Sequence, residues 1–131
     1  MNKDLKSNVD IVESLAPASR TAAVNGTGVD LRGYSSAMAV IQAGAAGGTT
    51  PSFTFKVQES DDDSTYADVA AADLDGGQPA AITAAQAAVR IGYKGAKRYA
   101  RVIISAVSGT SPTLLCSAAI VRGTPILAKL A

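Results

Sequence analysis

The sequence predicts an all-β protein: a single-domain antiparallel β-sandwich, jelly-roll-like, with at most one short helix. Three observations carry that expectation. Short apolar segments with period-two alternation recur along the 131 residues. Turn-forming clusters separate them at fairly regular intervals: "VNGTG", "AGGTTPS", "DDDST", "DGGQP", "YKGAK", "SGTSP" and "RGTP". Helix signals, by contrast, are weak. The length suits one domain with a sizeable buried core.

Taken in order, residues 1–8 are polar and read as an arm, followed by a sandwich domain over 9–123 and a tail over 124–131. "SAMAVIQAGA" is a short apolar run flanked by breakers, which favours a strand over a buried helix. "SFTFKVQES" is the clearest strand, with Phe53, Phe55 and Val57 on one face and Thr54, Lys56 and Gln58 on the other. "DDDST" turns the chain and "YADVA" resumes an extended path. "TAAQAAV" is the best helical candidate, because Ala and Gln favour helix and Thr83 could cap it. "AAVRIGY" sets Val89, Ile91 and Tyr93 against Arg90. "KRYARVIISAV" becomes apolar on both faces after a charged start, the mark of a central strand. "TLLCSAAIV" reads as a further strand.

Composition narrows the chemistry. Twelve Lys and Arg nearly balance eleven Asp and Glu, for a net charge of +1, so no global field draws in nucleic acid or an anionic membrane. Histidine is absent, which removes the commonest general base, metal ligand and pH switch. One cysteine, Cys116, permits neither an intramolecular disulfide nor a cysteine-based zinc cluster within one chain, and its apolar surroundings mark it as a small core residue. Neither a secretory signal nor an apolar membrane span is present in the sequence, which reads as that of a soluble cytoplasmic product.

The individual motifs resolve in the same direction. Asp61, Asp62 and Asp63 lack the ligand alternation, central Gly and distal Glu of a calcium loop, and read as a solvated turn. "GAAGG" matches neither phosphate-binding glycine pattern. Ser35, Ser36, Ser105 and Ser108 have no histidine to activate them, so no enzyme and no cofactor is expected. The basic cluster Lys94, Lys97, Arg98 and Arg101 lies between Tyr93 and the strand that follows. It reads as a charged "KGAK" hairpin, which the Asp61–Asp63 acids could balance within the chain or across an interface, and not as a nucleic-acid site.

The block "GYKGAKRYARVIISAVSGTSPTLLCSAAIVRGTP" resembles a family of small proteins encoded in the head-gene region of tailed bacteriophages and prophages, beside the major capsid protein. The shared features are a "GY-x-G-x-KRY-x-R" strand opening, a strand, a "GT" turn, another strand and a closing "V-x-G-x-P". Thr124 stands in that last motif where the family often carries histidine. "SLAPASRTAAVNGTGVDLRGYSSAMAVIQAG" and "FTFKVQESDDDSTYADV" are similar to the family's earlier strands, so the resemblance spans nearly all of residues 7–125.

The resemblance implies a virion structural protein made in the host cytoplasm. Its expected task is capsid decoration on the outside of the head, with the major capsid protein as partner and a homo-oligomer, a trimer for example, as the working unit. Asn2, Lys3 and Leu5 in the arm and Ile126, Leu127 and Leu130 in the tail are the expected assembly contacts. Two rivals stand beside this reading. A neck, head-completion or tail-tube protein would form rings, and a carbohydrate-binding β-sandwich would expose Trp or Tyr platforms, of which this chain has no Trp and four Tyr.

Overall fold

The computed structural model describes residues 5–125. It is an antiparallel β-sandwich of eight strands: β1 (Val9–Arg20), β2 (Val24–Asn25), β3 (Val29–Asp30), β4 (Tyr34–Ser60), β5 (Ala67–Asp68), β6 (Leu74–Asp75), β7 (Gln86–Tyr93) and β8 (Tyr99–Pro125). The other regular element is one 3₁₀ turn, Ala71–Asp73.

The architecture follows from β4 and β8, each 27 residues long. They pair antiparallel from Tyr34↔Pro125 to Ser60↔Tyr99. At ~3.3 Å per residue a straight ribbon would span about 90 Å, far more than a domain of this size whose radius of gyration is roughly 14 Å. The ribbon therefore bends back on itself. Its register shifts gather between Ala43 and Phe55, and four residues there have positive φ: Gly48 (90°), Thr50 (46°), Gly109 (112°) and Ser111 (47°). "GGTTPS" and "SGTSP" were expected as chain-reversing turns. They are instead facing bulges in two strands that continue through them, with Pro51 and Pro112 at positions where the ladder is already broken.

Each half of the ribbon recruits its own neighbours. β1 and β7 flank one half, through Val9↔Gly123 to Arg20↔Leu114 and through Ala37↔Tyr93 to Ala43↔Gln86. β2, β3, β5 and the isolated Phe53↔Ile82 bridge flank the other. The hydrogen-bonded order β1-β8-β4-β7-β6 runs as one sheet whose two halves close over a shared core. That core joins Leu15, Ile41, Ile91, Leu114 and Ile120 from one layer to Val29, Phe53, Phe55, Val102 and Ile104 from the other.

Most sequence expectations hold. Phe53 and Phe55 are 0% exposed, and Val57 is buried beside them. Ile91 is buried, with Val89 and Tyr93 packed against the core and Arg90 exposed. β8 is central, bonded to β4 on one side and to β1, β2 and β3 on the other. Two further expectations fail. "TAAQAAV" forms no helix: from Gln86 it is strand β7, because pairing with β4 satisfies more backbone than one isolated helical turn could. "KGAK" is no hairpin either, since β7 and β8 both pair with β4 and not with each other. Residues 94–98 instead cross from one layer to the other. β8 also runs two residues past the expected domain boundary at 123.

Candidate functional site

The crossing segment 94–98 lies at a polar end of the sandwich. Its exit is fixed by Lys94 N–H donating to Asp73 C=O at 2.7 Å and Lys97 N–H donating to Tyr93 Oη at 3.1 Å. Leu31 N–H donates to Arg98 C=O at 2.7 Å, tying the segment to the start of the second layer. A cleft of about 480 Å³ opens beside it, lined by Leu31, Tyr34, Ser36, Tyr93, Lys97 and Arg98 among others.

Within this end Lys97 and Arg98 are matched by acids. Lys97 Nζ lies 2.9 Å from Asp61, so the acidic turn does balance the basic cluster within the chain. Arg98 donates twice to Asp30, from Nε at 3.0 Å and Nη2 at 2.8 Å, and the guanidinium holds that carboxyl below its ordinary pKa. Arg101 donates twice to Gln58 Oε1 and stacks 3.9 Å over the Tyr66 ring. Arg122 pairs with Asp10, donates to Asp30 C=O at 2.8 Å and sits over the Tyr34 ring. Lys94 is exposed. Arg98, just before β8, and Arg101, within it, thus reach different acceptors.

The acidic turn is built as its composition suggested. Ser60 Oγ accepts from Asp62 N–H and Asp63 N–H, and Asp62 Oδ1 accepts from Ser64 N–H and Thr65 N–H at 3.0 Å each. Those hydrogen bonds keep the Asp62 carboxyl below its ordinary pKa. Among the described residues no three His, Cys, Asp or Glu side chains gather as a metal site would require. Cys116 is buried in the core, and desolvation raises its thiol pKa, so it is a packing residue.

Of the expected assembly contacts, Leu5 is 67% exposed, and its C=O accepts from Asn8 N–H at 3.0 Å. Asn2, Lys3, Ile126, Leu127 and Leu130 lie outside the described residues. The strands nevertheless fix where both segments attach. Val9 pairs with Gly123 across β1 and β8, so the start of β1 and the last residues of β8 lie side by side in one layer.

The outer face of that same layer was not singled out by sequence. Ile11 is 65% and Leu115 50% exposed there, and Met38, Val40, Ala119 and Val121 are half-buried around them. The signal was present in "TLLCSAAIV" and "SAMAVIQAGA", which are apolar at both odd and even positions, but which face would lack cover depends on the bend of the ribbon. The chain matches no known protein-family model and no curated protein.

Proposed function

We propose that the chain is a non-enzymatic structural protein of a tailed-phage virion, a decoration protein that binds the outside of the head through the major capsid protein. The observation that carries this reading is the Val9↔Gly123 pair. Val9 and Gly123 adjoin the arm over 1–8 and the tail over 124–131, and their pairing supports a shared contact region for the two segments. The resemblance of residues 7–125 to head-region proteins supplies the identity of the shell. A jelly-roll-like sandwich with ion-paired surface cations suits a part whose task is to stay folded and to be held by neighbours.

The test is binding of the purified chain to undecorated capsids of its own phage. Regular, saturable occupancy of the shell, lost on removal of residues 126–131 while the sandwich stays folded, is the expected result. Rings or tubes that ignore the shell would instead assign the protein to the neck or tail. Glycan binding without shell binding would favour a carbohydrate-binding module.

A further inference from the structure

The outer face of the layer β1-β8-β4-β7 is self-complementary, and we infer that it is the contact between two copies of this chain, related by a two-fold axis parallel to β4 and β8. The register places outward side chains in rows across the strands. One row is Ile11, Val121, Met38 and Gly92. The next is Glu13, Ala119, Val40 and Arg90. Further along, Ser117 pairs with Gln42, and beyond it Leu115 lies against Gly44, where an added Cβ would sit 3.4 Å from the Leu115 Cβ.

A two-fold axis running between β8 and β4 lays β1 over the second copy's β7, and β8 over its β4. Each large exposed apolar residue then meets a glycine: Ile11 faces Gly92, and Leu115 faces Gly44. Val121 meets Met38, and Ala119 meets Val40. The two charges of the second row also meet their opposites, Glu13 facing Arg90 and Arg90 facing Glu13, so the symmetry makes two ion pairs. Both residues are exposed, and neither forms an ion pair with another described residue. Shallow grooves already flank the projecting side chains, one of about 310 Å³ beside Ile11 and one of about 480 Å³ beside Leu115 and Gly44. Asp75, paired with Gly92 on β6, puts its own Cβ 3.0 Å from where a Gly92 Cβ would stand, so the second copy's Ile11 meets the Asp75 side chain at the rim as well as the glycine.

Charge complementarity and the pairing of projections with glycines are what select a second copy as the occupant. Isologous contacts need each patch to complement itself, and this one does so at five separate pairings. Sheets packed face to face sit ~10 Å apart and cross at about −30°, so the match is closest near the axis. Four strands give a footprint only about 19 Å wide, which puts the contact at the small end of specific interfaces and makes the dimer a reversible one. The inference is independent of the capsid reading.

The experiment is sedimentation equilibrium of the full chain from micromolar to millimolar concentration at low salt. The expected wild-type result is a monomer–dimer equilibrium. Ile11→Asp should weaken it at least about ten-fold, and so should Glu13→Arg or Arg90→Glu alone, since each sets like charges opposite one another. The double variant Glu13→Arg/Arg90→Glu should recover most of the loss. These positions are on the surface, and circular dichroism confirms the fold of each variant. A monomer at every concentration, a trimer indifferent to all these changes, or a double variant no better than the singles would overturn the dimer. Shell binding by folded Ile11→Asp protein would still uphold the decoration reading, so the two can fail separately.

Discussion

Ser14 Oγ accepts the Val102 backbone N–H at 3.0 Å, joining residues 88 apart in sequence and one layer of the sandwich to the other. The same hydroxyl donates to Thr27 C=O at 2.9 Å, and Ser14 C=O accepts from Thr27 N–H at 2.7 Å. A bulge makes this geometry: Glu13 pairs with Ala119 and Leu15 with Ala118, so Ser14 is the extra residue and both it and Leu15 turn inward. Gly26 passes close enough that a Cβ there would come within 2.1 Å of Val102 C=O.

Ser14→Ala should therefore cost about 1–3 kcal/mol, because it leaves the buried Val102 N–H without its acceptor and the partly buried Thr27 C=O without its donor. Urea unfolding is the check. A shift in midpoint with an unchanged slope is expected. A loss below about 0.5 kcal/mol would mean that water replaces the hydroxyl at this seam.

Gly48 and Gly109 are the matched pivots of the bent ribbon. A Cβ on Gly48 would lie 2.4 Å from Ser111 C=O, and one on Gly109 would lie 2.6 Å from Thr50 C=O, both at positive φ. Gly48→Ala and Gly109→Ala should each destabilise by more than about 1 kcal/mol, since strain in the native state outweighs the entropy lost from the unfolded chain. The double variant should cost less than the sum, because both changes open the same bend. Strict additivity, measured by chemical denaturation, would show that the two strands bend independently. Gly76 and Gly77 also have positive φ, but they face open space, so Ala there should cost only the backbone strain.

Much of the fold was legible because it rests on local pattern. Phe53, Phe55 and Val57 announce one face of a strand, and the aspartates after Ser60 announce a turn. What failed to show depended on partners distant in the chain. The glycine-proline clusters at 47–52 and 108–112 carry the composition of turns, and only their mutual pairing reveals two bulges in one ribbon. Ser14 and Gln78 gave no signal, although Gln78 accepts from Val57 N–H and donates to Val57 C=O and Val69 C=O in place of a missing strand neighbour. The apolar outer face was visible as apolar residues at both parities, while its exposure followed from topology. At the arm and tail, the contact residues were chosen by composition, and the structure adds only that the neighbouring strand residues Val9 and Gly123 are paired.

Alkali should unfold this protein through its tyrosines. Tyr93 is partly buried and donates to Glu59 at 2.7 Å; desolvation, then that carboxylate, push its hydroxyl well above the ordinary value. Tyr66 is shifted the same way by desolvation and by its bond to Asp63. The native state thus keeps protons that the unfolded chain releases above about pH 10, so stability is full below that pH and falls as pH rises past it. Tyr93→Phe should flatten the decline measured by denaturant unfolding between neutral and strongly alkaline buffer. An equally steep decline in Tyr93→Phe/Tyr66→Phe protein would place the alkaline sensitivity elsewhere.

The basic cluster offers the sharpest separation of two roles for the same side chains. Arg98 and Asp30 are both about two-fifths exposed, as side chains, and Lys97 and Asp61 more so, so water screens each pair and neither contributes much to stability. Asp30 has its pKa lowered chiefly by Arg98, so the pair's share of stability is present above the ordinary value of 3.8 and lost as pH falls through the folded one. The acids matter more for what they hide. Asp30→Asn with Asp61→Asn removes two negative charges and releases Arg98 and Lys97 beside Lys94 and Arg101, turning a neutralised end into a basic patch with tyrosines around it. The double variant should stay folded, with stability close to that of wild type, and should gain salt-sensitive affinity for heparin or single-stranded nucleic acid, while the parent is not retained. Retention of the parent at physiological salt, lost on Lys97→Ala/Arg98→Ala, would show that these cations reach an anionic partner despite their ion pairs, and would reverse the reading of this end as a neutralised surface.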